Sequence, residues 1–288
     1  MTKPIVFSYS ELDTLRQCPF KWQLAYVERW QSEEKGPALQ RGTDWHALMA
    51  TFYGLRMRGI AWKRAYKLAW REHCLVPGTI QQTPEQLLLE WMLTGYCTFH
   101  DDNEWEILGV EIQHEVPIAP GYRLKVRADL IVRLKGTGRL WLVDSKTSKD
   151  LWREEDYVLH VQFPLYVWAL RQAGIPVWGT IHDGVRTQRN KSKPQGLEER
   201  FKRTLVHHTD AALRTIARDA VRDISNARRQ LERIRAKEDD MPRHFDQDRC
   251  RWRCSFLSPC LAGARSGRPA HTREFLLDLG FSQDPTRH

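Results

Sequence analysis

The sequence predicts an α/β (α+β) fold, a sheet with helices around it, on three observations. Between about Glu106 and Thr147, three runs rich in Val, Ile, Leu and Trp are divided by Ala119-Pro120-Gly121 and Gly136-Thr137-Gly138, the pattern of an antiparallel meander. Stretches on either side repeat apolar residues at the spacing of helices with one buried face. Acids sit inside two of the strand runs, where a buried carboxylate is costly unless it is paired or binds a metal.

In chain order, Ser10-Glu11-Leu12-Asp13 predicts a capped amino-terminal helix. Helical patterns continue through about Thr43–Glu72 and Pro84–His100. A strand follows from roughly Glu106 to Ile118. On the second strand Leu124, Val126, Ala128, Leu130 and Val132 share one face, and Arg123, Lys125, Arg127, Asp129 and Arg133 the other. The same period of two puts Asp144 and Lys146 side by side on the third strand, so acid, acid and lysine can converge across neighbours. Beyond a helix holding Gln162 to Tyr166, Val177–Val185 and Phe201–Val206 read as strands, with a polar loop at 191–196 between them. A long helix over about Asp210–Lys237 carries an apolar stripe from Leu213 to Ile234. Arg214, Arg218, Arg222, Arg229 and Arg233 populate another face, which is solvated or tracks a phosphate backbone. Pro242 ends that region, and the tail after Cys260, with Gly263, Gly267 and Pro269, reads as loosely ordered.

Two carboxylates can hold one or two hard divalent ions. Such ions polarise a phosphoryl group and acidify a bound water. A lysine beside them can orient that water or meet charge developing on the phosphate. With Asp129 and Asp144 alone, the simpler reading of a strand-end acid and an ordinary Asp–Lys pair would be favoured.

The chain has 288 residues, 45 Lys and Arg against 36 Asp and Glu, and a net charge of +9. With a pI near 9.3, this balance favours a polyanionic partner. Most of the 12 Trp should be core, but exposed ones could stack on unpaired bases. No apolar run reaches the roughly 20 residues of a membrane span. Met1-Thr2-Lys3-Pro4 starts no signal-peptide core, so a cytoplasmic protein is expected. No phosphate-loop motif is present, which excludes a nucleotide motor of that type in this chain. Cys74 and Cys97 lie in helical stretches as small hydrophobes. Cys18, Cys250, Cys254 and Cys260 are the remaining thiols, and a disulfide framework is not expected. Spacing alone does not choose between iron–sulfur and zinc.

Seven elements now fall in one order. They are Ser8-Tyr9-Ser10-Glu11-Leu12 leading to Cys18-Pro19-Phe20-Lys21-Trp22; Gly42-Thr43-Asp44-Trp45-His46; Val110-Glu111; Asp129; Asp144-Ser145-Lys146; Gln162-Phe163-Pro164-Leu165-Tyr166; and Cys250, Cys254 and Cys260. This set resembles the RecB-type branch of the PD-(D/E)xK nuclease superfamily, over nearly the whole chain. That branch includes the nuclease domains of RecB and AddB and the small four-cysteine exonucleases of CRISPR adaptation and phages.

The resemblance implies a restriction-endonuclease-like core, a central mixed sheet flanked by helices, within a single nuclease domain over residues 1–262. It comprises a helical insertion at about 43–100, a catalytic core at about 104–206 and a long helix with the cysteine region at about 207–262; a tail at 263–288 follows. Asp129 and Asp144 would ligate Mg2+ or Mn2+, with His46 and the Ser145 carbonyl as further ligands. Lys146 would position the attacking water, Glu111 would be the acid of the first strand, and Gln162 and Tyr166 would steady the lysine or the DNA. Cys18, Cys250, Cys254 and Cys260 would hold a [4Fe–4S] cluster joining the chain's two ends, with zinc as the alternative. Their C-x3-C-x5-C spacing departs by one residue from the C-x2-C-x5-C common in relatives. The implied activity is metal-dependent exonucleolytic hydrolysis of DNA, single-stranded by expectation, in recombination, repair or DNA processing, in a bacterial or phage-infected cytosol. A non-catalytic DNA-binding or CRISPR-adaptation partner and a structure-specific endonuclease are the alternatives.

Overall fold

The computed structural model describes residues 3–32, 36–76, 78, 80–100, 104–189, 195–236, 239–266 and 273–284. The chain runs β1 (Ile5–Ser8), α1 (Tyr9–Gln17), α2 (Pro19–Trp22), β2 (Trp30–Ser32), α3 (Pro37–Met57), α4 (Trp62–His73), α5 (Pro84–Phe99) and β3 (Trp105–Ala119). It continues through β4 (Tyr122–Leu134), β5 (Leu140–Ser148), α6 (Glu154–Leu159), α7 (Gln162–Gln172), β6 (Val177–Arg186) and β7 (Phe201–His207). It ends with α8 (Asp210–Arg235), α9 (Gln247–Arg253), α10 (Leu257–Ser266), α11 (Arg273–Asp278) and β8 (Phe281–Gln283). The mixed α/β class expected above is the one observed. The chain divides into two compact units.

One unit comprises residues 36–114 and 126–216. In it β5 pairs antiparallel with β4 and parallel with β6, and β6 pairs antiparallel with β7. β3 also lies on β4, reached through the two-residue turn Pro120-Gly121, so the pair is a hairpin. The strand face carrying Leu124, Val126, Ala128, Leu130 and Val132 is buried, as alternation requires. Leu130, Val132, Trp141, Val143, Ile181 and Val185 share one apolar core with Trp45, Phe52, Leu89 and Leu93 from α3 and α5. α5 starts on a reciprocal cap: Thr83 Oγ1 accepts the Gln86 N–H, and Gln86 Oε1 accepts the Thr83 N–H.

The helical pattern over Thr43–Glu72 resolves into two helices, because Gly59 adopts φ +80° at the end of α3. There the Ile60 N–H reaches the Leu55 carbonyl and the Gly59 N–H the Arg56 carbonyl, a Schellman ending that reverses the chain into α4. Apolar spacing alone does not register such a break, because both helices face the same core.

The other unit comprises residues 1–35, 115–125 and 217–288. β1 pairs in parallel with the start of β4, from Ile5 opposite Tyr122 to Ser8 opposite Lys125. Ser8 also caps α1, its Oγ accepting the Glu11 N–H at 3.2 Å, two residues before the predicted start. The buried Glu11 carboxylate accepts from Trp22 Nε1 at 2.9 Å and Arg228 Nη2 at 3.1 Å. α8 buries Ala217, Ala220, Ile224, Ala227 and Leu231 as its stripe predicts, and ends at Arg235.

Among the described residues, the stretch expected as a loosely ordered tail includes regular structure. α10 runs to Ser266, α11 follows, and β8 pairs antiparallel with β2, Trp30 opposite Gln283. Leu276 and Phe281 are buried, and Phe281 stacks on Phe256 with centroids 5.1 Å apart. A three-residue strand is too short to carry a period in sequence. Residues 191–194 of the polar loop and Gly267 and Pro269 of the tail lie outside the described residues. Among the described residues no helix is long and apolar enough to cross a membrane.

Candidate active site

Five elements of the 36–114/126–216 unit bring the site together. α3 presents His46, β3 Glu111, β4 Asp129, β5 Asp144, Ser145 and Lys146, and α7 Gln162 and Tyr166. His46, Glu111 and Asp129 offer ligand atoms that all lie within 4.8 Å of one another. His46 Nδ1 is 3.3 Å from Asp129 Oδ2. Glu111 reaches the group from β3, where its backbone is left-handed at φ +50°. A Cβ at Gly109 would meet the end of the Ile112 side chain. Arg127 Nε pairs with Glu111 Oε2 at 3.1 Å. Glu115, on the same strand, is paired with Arg123 instead.

Asp144 belongs to a second set. Lys146 Nζ lies 2.7 Å from its Oδ2, and Gln162 Nε2 donates to its Oδ1 at 3.0 Å. Although the ammonium is close, Oδ2 is buried without a hydrogen bond of proper direction, which leaves acceptor capacity for a cation. The two sets are joined through Ser145, whose N–H donates to Asp129 Oδ2 at 2.9 Å. Pro164 sits in the first turn of α7, where its missing N–H costs nothing. Tyr166 is buried and its hydroxyl meets the Arg127 backbone.

Burial and charge set the protonation states. Burial pushes Asp144 up to about 6; the Asp129 charge adds to this, while Lys146 and His46 pull the other way. Burial would also raise Asp129, but His46, Lys146 and the Ser145 N–H outweigh it and hold that carboxyl below its ordinary range. Burial would lower His46, yet the adjacent Asp129 raises it. Glu111 is raised by burial and by Asp129. Tyr166 is pushed up to about 12, chiefly by burial, and stays a neutral phenol.

A cavity of about 20 Å³ opens on His46, Tyr53, Glu111, Asp129, Ser145 and Asp183, room for about one small ion or water. Sequence reasoning missed Tyr53 and Asp183. Asp183 on β6 is buried and accepts from Arg203 Nε at 3.2 Å and from the Tyr96 hydroxyl. Arg203 Nη2 also donates to Tyr96 at 2.8 Å and to Tyr53 at 3.2 Å. Trp45 Nε1 donates to Ser145 Oγ at 2.9 Å, which ties α3 to the strand bearing Asp144 and Lys146. An acid inside the run Val177–Val185 was the available signal, the same one that singles out Asp129 and Asp144.

The six cysteines do not form one group. Cys74 is buried and Cys97 packs against the same core, and burial pushes the Cys74 thiol up to about 12. Cys18, Cys250, Cys254 and Cys260 line a separate cavity of about 450 Å³ in the other unit. Burial raises the Cys254 and Cys260 thiols, opposed by Lys21 near Cys254 and by an Arg243 hydrogen bond to Cys260.

Among known proteins, the family model described as the PD-(D/E)XK nuclease superfamily matches residues 6–261. No curated protein matches. A solved Eubacterium rectale structure that carries the name "Putative exonuclease" is 16% identical, with a TM-score of 0.53, over 94% of this chain and 91% of that one. The solved structure of SSO0001 is 14% identical, with a TM-score of 0.35, over 90% and 86% of the two chains. At 16% identity the first likeness is one of fold alone.

Proposed function

Because the chain belongs to the PD-(D/E)XK nuclease superfamily, we propose that it is a divalent-metal-dependent deoxyribonuclease that hydrolyses DNA from its ends, single strands above all, in the cytoplasm during recombination, repair or DNA processing. The observation that carries this reading is the convergence of His46, Glu111 and Asp129 within 4.8 Å, joined through Ser145 to the Asp144–Lys146 pair. One imidazole and two carboxylates suit a small divalent cation, and the nitrogen donor favours Mn2+ over Mg2+, which prefers oxygen. Asp144 and the Ser145 carbonyl would complete the set. When bound, the ion supplies Lewis acidity at the scissile phosphate. Lys146 places a positive charge where the phosphate gains negative charge, and Gln162 fixes the Asp144 oxygen facing away from the ammonium. Tyr166, a neutral phenol, holds α7 against the Arg127 backbone.

Cys18, Cys250, Cys254 and Cys260 form the proposed [4Fe–4S] site. A tetrahedral zinc with Zn–S bonds of about 2.3 Å needs its sulfurs about 3.8 Å apart. Among the described residues no three of these thiols lie within 4.8 Å of one another, a spacing that suits a polynuclear centre better than a single zinc ion. The cationic Lys21 and Arg243 suit the negative charge of a thiolate-bound cluster. Such a cluster would tie Cys18 to the carboxy-terminal thiols as a structural staple.

The test uses anaerobically purified protein, with its iron content measured, incubated with Mn2+ and either linear or closed circular single-stranded DNA. Loss of the linear strand with circles left intact is expected. Cutting of circles would replace the exonuclease with an endonuclease, and a colourless, iron-free protein would remove the cluster.

A further inference from the structure

From Trp45 to Arg71 the chain has no acid, yet it carries Arg56, Arg58, Lys63, Arg64, Lys67 and Arg71. Arg56 and Arg58 are used locally, donating to the Ile60 and Gly54 carbonyls at the end of α3. On α4 only Lys63 has a local contact, its ammonium over the neighbouring Trp62 ring. Lys63, Arg64, Lys67 and Arg71 are exposed, and among the described residues none of them forms an ion pair. At 100° per residue they fall within one arc of about 100°. Lys63 and Lys67, and Lys67 and Arg71, are like-charge pairs four residues apart, an arrangement that opposes helix formation. Ala65 and Ala69 are buried on the opposite side, so the stripe cannot turn inward.

α8 shows how a merely solvated helix differs. Two of the arginines on its exposed face are answered by acids: Arg222 lies 3.4 Å from Asp219 and 3.7 Å from Asp223, and Arg218 3.7 Å from Asp219; Arg229 donates to Ser225 Oγ and Asn226 Oδ1 instead, and among the described residues Arg214 is in no ion pair. The uncompensated repulsion on α4 calls for a polyanion from outside.

The position of α4 gives that polyanion a destination. His73 Nε2, at the end of α4, is hydrogen-bonded to Thr51 Oγ1 at 2.9 Å. Thr51 lies five residues from His46 on α3, about 7.5 Å of helix rise. The Arg71 end of the stripe is therefore the end nearer the candidate metal site. At the other end Trp62 is 43% exposed, with the Lys63 ammonium 5.8 Å from its ring centroid.

We propose that the exposed face of α4 is a docking surface for the phosphate backbone of single-stranded DNA, leading it to the site that holds His46. This rests on the nuclease reading for its substrate, but binding can be measured without cleavage. The experiment is fluorescence anisotropy of a labelled single strand in EDTA over a range of salt concentrations. It compares the wild type, K63Q/R64Q/K67Q/R71Q on α4, and the equally discharged R214Q/R218Q/R222Q/R229Q on α8.

Each lost phosphate contact should reduce the slope of log affinity against log salt by about 0.7, so the α4 variant should lose about 3 and the α8 variant almost nothing. K67Q/R71Q should lose about half as much, and in Mn2+ its KM should rise with kcat unchanged. An unchanged slope for the α4 variants, or an equal loss for the α8 variant, overturns the proposal, as does a wild type that binds no DNA. A wild type that binds through α4 yet never cleaves in Mn2+ would support this surface while ending the nuclease reading.

Discussion

The two oxygens of Asp144 have different neighbours, Gln162 on one side and the Lys146 ammonium on the other, and both are out of water. Burial is the main reason its carboxyl is pushed up to about 6. Its folded pKa lies above its ordinary value of 3.8, so between those values the native state holds more protons than the unfolded one. Stability of the metal-free protein should therefore fall as pH rises from about 4 to 6. Asp144→Asn removes the ionisation, and its Tm in EDTA should exceed that of the wild type at pH 7.5 but not at pH 4. Equal differences at both values would mean that the charge at 144 is not what burial penalises. Such an inward-facing charge is legible in a single sequence, because an acid in an apolar strand run must be answered by something. The Asp144–Lys146 pairing was legible from the period of two, but the partners of Glu111 were not. Glu111 joins His46 and Asp129, whereas Asp144 is held by Lys146 and Gln162.

At the scale of elements, period predicted well and ends predicted poorly. The second strand's buried face and the stripe of α8 follow from alternation and from three-and-four spacing, so they could be drawn before any coordinates. β1 and β8 could not. Each is a few residues long and owes its conformation to a partner distant in sequence, β4 and β2 respectively. The break between α3 and α4 depends on one residue, Gly59 at φ +80°, a region where a side chain costs roughly 1–2 kcal/mol. Gly59→Ala should therefore lower the unfolding free energy by about 1 kcal/mol in urea titration. A neutral or stabilising effect would show that the α3 ending is not held in the left-handed region. The left-handed backbone at Glu111, φ +50°, escaped detection because no glycine marks that position.

Across the whole molecule, residues separated by 120 positions, from His46 to Tyr166, assemble into one site because α3, the β3–β4–β5 strands and α7 belong to one compact unit. The ordered motifs made that assembly expected, and the physical reason recurs: Asp129 meets His46, Asp144 meets Lys146 and Asp183 meets Arg203. The cysteines follow a parallel logic in the other unit, where four thiols from distant segments line one cavity. The most direct test of the central claim is the rate of Mn2+-dependent hydrolysis of end-labelled linear single-stranded DNA by the wild type and Lys146→Met, with Mn2+ affinity measured in parallel. The rate should fall at least about 100-fold while Mn2+ still binds, as expected for a group that acts on the reacting phosphate. Equal hydrolysis by the two proteins would contradict an active site built on Asp129, Asp144 and Lys146.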